Sequence, residues 1–91
     1  MEKRYIIAIY NNNGLKGEIL NIHIKPESEL KSFVYGNMWH QNIKSKKFND
    51  EDDIKQYWYK ICNDIIEGRV EKQEILCENA VITIIKDNIF S

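Results

Sequence analysis

The chain has 91 residues, a formal net charge of −1 and 43% hydrophobic residues. One domain, residues 1–91, is what this length supports, because two cores of half the size would each be marginal. The apolar content argues against a disordered chain, and no apolar run approaches the roughly 18–20 residues of a membrane span.

The start, Met1-Glu2-Lys3-Arg4, leads into only a short apolar run, too brief for a signal-peptide core, so a cytoplasmic protein is expected. That run, Arg4–Tyr10, reads as a strand with apolar side chains on both faces, which suits the interior of a sheet. Asn11–Gly17 is a turn, with Asn13-Gly14 supplying residues that tolerate positive φ. Glu18–Lys25 then alternates: Leu20, Ile22 and Ile24 share one face, and Asn21, His23 and Lys25 the other. One wet face suits an edge strand, with His23 solvated.

Pro26 ends that strand and fits the first turn of a short helix from Glu27 to about Tyr35, which would bury Leu30, Phe33 and Val34. Gly36 is the expected stop. Residues 37–48 fit either more helix or an ordered loop carrying Lys44-Ser45-Lys46-Lys47. The clearest signal is Asn49–Gly68. Asn49 or Asp50 caps a helix whose first turn is acidic, as the helix dipole favours. Apolar residues recur at Ile54, Tyr57, Trp58, Ile61, Cys62, Ile65 and Ile66, and Gly68 sits where a left-handed residue ends a helix. Trp58 and Ile61 are the residues expected to face a sheet. Val70–Cys77 and Ala80–Lys86 form a second hairpin across Glu78-Asn79, the latter strand apolar on both faces.

The fold class expected is α+β. A four-stranded, mostly antiparallel sheet of two hairpins, order 2-1-4-3, carries one long and one short helix on one face. So short a chain leaves the other face bare. Ile6, Ala8 and Tyr10 beside Ala80, Ile82 and Ile84 is one choice of outward set, and a homodimer through it is expected.

Charge is unevenly spread. Residues 1–48 carry eight basic against four acidic residues, and residues 49–79 carry nine acidic against four basic. The acidic half, with Asp52, Asp53, Asp64, Glu67, Glu71 and Glu74 and the outward Tyr59, is the candidate partner-binding edge. A surplus of carboxylates there can imitate a phosphate backbone and occupy a basic channel of another protein.

Catalytic signals are missing. Cys62 and Cys77 lack the spacing of a zinc knuckle and read as reduced structural thiols. His23 and His40 lack metal-ligand spacing, and Asp50–Asp53 lacks the central glycine and terminal glutamate of a calcium loop. Gly14 and Gly17 open no helix, so no phosphate loop forms. Three lysines near Trp39 and Phe48 do not make a nucleic-acid-binding surface in a domain that is not basic.

The expectation is therefore a non-enzymatic module without cofactor or metal. It would bind a protein, a nucleic-acid-processing one among the candidates, with no direct nucleic-acid or membrane contact. In size and composition the chain resembles small phage-encoded anti-defence proteins, anti-CRISPR proteins among them, a likeness that implies an inhibitor or adaptor and that no motif carries. The alternative is a nucleotide or small-ligand binder, with its pocket between helices and sheet or at a dimer interface.

Overall fold

The computed structural model describes residues 2–12, 17–43 and 48–88. The Asn13-Gly14 turn and the Lys44-Ser45-Lys46-Lys47 cluster lie outside them. The elements run β1 (Arg4–Asn11), β2 (Ile19–Pro26), α1 (Glu27–His40), α2 (Glu51–Ile66), β3 (Lys72–Leu76) and β4 (Ala80–Lys86). The sheet is antiparallel throughout with order β2-β1-β4-β3, and both helices lie on one face, an α+β fold. The strands apolar on both sides, β1 and β4, are the two interior ones.

Register decides which residues meet the helices. Ile7 pairs with Ile84 and Ile9 with Ile82, so these four share the helix-covered face with Tyr5, Ala80 and Ile75. Leu30, Val34 and Met38 of α1 and Ile54, Cys62 and Ile65 of α2 complete this core. The expected outward set is thus half wrong. Ile6, Ala8 and Tyr10 do point away from the helices, but their β4 neighbours are Ile85, Thr83 and Val81; Ala80, Ile82 and Ile84 are buried.

Three local expectations also shift. Trp58 faces α1 instead of the sheet: its indole Nε1 donates to the Lys31 carbonyl at 2.8 Å and its ring meets Tyr35 edge-on at 4.8 Å. Ile61 is partly buried at the border of the core, and Cys62 and Ile65 take the sheet-facing positions. His23 is not on a solvated face. It lies on the helix side of β2, 4.7 Å from the Phe33 ring, with Lys25 Nζ 4.8 Å from the same ring. At a sheet edge, long polar side chains can pack their stems under a helix and keep their heads wet.

α1 runs 14 residues, straight through Gly36. Glycine costs about 1 kcal/mol in a helix interior, less than burying Met38 two residues further on returns. The left-handed stop is Asn42, with φ of 61°. Its N–H reaches the Trp39 carbonyl at 3.1 Å and the Ile43 N–H reaches Met38 at 2.9 Å, with Met38 and Ile43 both buried. α2 ends the same way at Gly68, φ 77°, with Gly68 N–H on Ile65 and Arg69 N–H on Asp64. Its start is capped by Asp50, whose carboxylate accepts from the Asp53 N–H at 3.0 Å.

Candidate functional site

The acidic candidates do not converge. Asp52 and Asp53 sit in the first turn of α2 and Asp64 and Glu67 at its end, roughly 20 Å along the axis at 1.5 Å per residue. Asp64 is already engaged: Lys60 Nζ and Arg69 Nε each lie 2.7 Å from its oxygens, and these hydrogen bonds hold its carboxyl below the usual value. Arg69 also meets Glu67 at 2.7 Å. Glu71 is exposed in the connection to β3, while Glu74 points to the opposite side of the molecule, on the sheet. Tyr59 is exposed on α2, with Lys31 Nζ 4.4 Å from its ring. Along α2, then, helix capping and local ion pairs engage several of these carboxylates, and no single acidic surface collects the set.

The other side of the sheet concentrates a different signal. Ile19, Leu20, Ile22 and Ile24 of β2, with Leu76 and Ile85, are the exposed large apolar side chains of the uncovered face, Ile22 at 57% and Leu76 at 58%. Ile24 sits beside Ile6 and Ile22 beside Ala8 in the β1–β2 register; a bulge at Ile9/Tyr10 leaves Leu20 as an extra residue next to Ile19. Ala8 and Thr83, paired across β1 and β4, are short side chains flush with the sheet, 9% and 8% exposed. Beside them a hollow of about 400 Å³ opens between the end of β1 and β3, lined by Tyr10, Asn12, Lys72, Glu74, Val81 and Thr83 among others. Asn12 forms one wall, its Nδ2 donating to the Cys77 carbonyl at 2.9 Å.

The β2 row was visible as an alternating pattern and read as the inner side of a half-wet strand. What was missing was the register with β1, which turns Asn21, His23 and Lys25 to the helix side, His23 and Lys25 against Phe33 of α1, and the isoleucines outside. A β1 that is apolar on both faces was the available clue.

The two thiols are sequestered. Cys62 and Cys77 are free and buried, and burial pushes their thiols up to about 12 and about 11. Such thiols are poor nucleophiles and poor metal ligands at neutral pH. Among the described residues, no three His, Cys, Asp or Glu side chains gather as a metal site would need, and no helix is long and apolar enough to cross a membrane. No protein-family model, curated protein or solved structure matches the chain.

Proposed function

We propose that the chain is a small protein-binding module whose working surface is the open face of the sheet. The observation that supports this most is the exposed apolar row Ile19, Leu20, Ile22 and Ile24, continued by Ile85 and Leu76. Scattered apolar residues are ordinary on protein surfaces, but a contiguous patch on one flat side is a contact surface in want of a cover. The binding edge proposed on charge alone thereby moves from α2 to the sheet, and Glu74 is the member of the acidic set that moves with it. An inhibitor or adaptor that seats on a larger protein is a use such a face serves. Nothing in it selects an anti-defence role over any other.

A small-ligand reading is favoured by the hollow of about 400 Å³, which falls within the range of small-molecule sites. It lies on the open face and not between helices and sheet. The two readings separate by photo-crosslinking in cells. A crosslinking residue at Ile22 is expected to capture protein, and the same residue at Lys60 on α2 is not. Capture at Lys60 alone would return the working surface to the helix side. Absence of protein capture at both positions would remove the protein-binding reading.

A further inference from the structure

The open face is a grid of short rows across the strands. One row is Ile24, Ile6, Ile85 and Lys72; the next is Ile22, Ala8, Thr83 and Glu74. The two rows are complementary position by position. Isoleucine stands beside isoleucine on β2, isoleucine beside alanine on β1, isoleucine beside threonine on β4, and lysine beside glutamate on β3.

We propose that a second copy of this chain covers the open face, the two sheets stacking across a two-fold axis that runs across the strands between these rows. This inference rests on the open face being the working surface and names its occupant. A two-fold axis placed there lays each row on the other row of the second copy, because an isologous interface brings residue i onto j and j onto i. Ile6 then stands over the second copy's Ala8 and Ile85 over its Thr83, the large side chain over the short one in both cases. Ile85 enters the hollow above Thr83, and Lys72 meets Glu74 twice in the dimer. Sheets packed face to face sit about 10 Å apart, a gap that such interdigitating side chains fill.

The area is compatible with a dimer of modest affinity. The four strands hold 28 residues. At about 3.3 Å rise and 4.8 Å spacing that is roughly 440 Å² of flat surface per copy. Two copies bury twice this before side-chain relief is counted, close to the roughly 1,000 Å² at which specific interfaces begin. Self-association in the micromolar range is the expected outcome for an interface of this size. A highly charged partner is disfavoured, since Lys72 and Glu74 offset each other at the same edge.

Sedimentation equilibrium from 1 to 200 µM tests this, with circular dichroism to confirm folding of each variant. Wild type is expected to dimerise. Lys72→Glu and Glu74→Lys, both at exposed positions, place like charges together and are each expected to weaken self-association about tenfold. An equimolar mixture of the two is expected to form heterodimers with nearly wild-type affinity, as is the double charge-swapped chain with itself. Ile22→Asp is expected to give a folded monomer. A wild type that stays monomeric to 200 µM would overturn the proposal, and capture of a different protein from position Ile22 would then leave the protein-binding reading standing. A dimer indifferent to the charge swaps would overturn it as well, because pairing through the β2 edge leaves β3 far from the contact.

Discussion

Two thiols and a phenol carry most of the buried ionisable chemistry. Cys62 and Cys77, ordinarily near 9, are pushed to about 12 and about 11 by burial. Tyr5, ordinarily near 10, rises to about 12, first by burial and then by the charge of Glu27, which its hydroxyl meets at 3.3 Å. In each case the folded chain holds a proton that the unfolded chain releases first. Stability is therefore full below about pH 9 and falls as pH rises through 11 and 12. Urea midpoints are expected to drop between pH 8 and pH 10.5, and Cys62→Ala should flatten that drop whatever it does to the midpoint at pH 8. A profile that is flat from pH 8 to 10.5 in the wild type would mean that water already reaches the thiols. At neutral pH the same burial should leave both cysteines unreactive to thiol reagents until the chain unfolds.

At the level of elements, apolar runs, periodicity and end signals place the helices and strands among the described residues, and the errors lie where those patterns carry no information. Gly36 looked like a stop, yet the buried spacing Leu30, Val34, Met38 carries α1 past it, and Asn42 supplies the left-handed residue. Helix α2 is bounded by Gly68 at its end and, of the two candidate caps Asn49 and Asp50, by Asp50 at its start. Its rotation is not set by these signals, since the seven apolar residues span a stripe wide enough to face two partners. Trp58 takes the α1 side, where its N–H finds the Lys31 carbonyl, and Ile65 takes the sheet side. Truncation should reveal this division. Ile65→Ala, at 1% exposure, is expected to cost about 2–5 kcal/mol in denaturant unfolding, and Ile61→Ala, at the border of the core, distinctly less. The two positions stand only about 40° apart around a helix of 3.6 residues per turn, so equal losses would mean that the helix is rotated by up to about that angle from the orientation described.

Across the whole molecule, the sheet order was readable from which strands are apolar on both sides, while the docking face was not. Its identity depends on the β1–β2 and β1–β4 registers, and alternation within one strand cannot say which of its faces turns to the helices. The charge split drew attention to α2, where capping at Asp50 and the Asp64–Arg69–Glu67 contacts hold carboxylates locally. Helices on one face and bare sheet on the other also separate the two candidate surfaces in space. The molecule measures 20 Å along its thinnest axis, and the helix layer lies behind the sheet. Charges on the far side of α2 thus sit beyond the Debye length of about 8 Å at 0.15 M salt, as seen from the open face. The double variant Glu51→Lys/Asp52→Lys moves the net charge from −1 to +3 by replacing two exposed carboxylates in the first turn of α2 with ammonium groups. Association through the open face should nevertheless keep its affinity within about twofold at 0.15 M salt, where the altered charges are screened from the contact. Glu74→Lys changes the charge by only half as much and should weaken it more, because that residue stands in the contact. Were the distant pair to weaken association as strongly as Glu74→Lys does, in sedimentation runs at the same salt, the acidic side of α2 would be the interface and the sheet face a bystander.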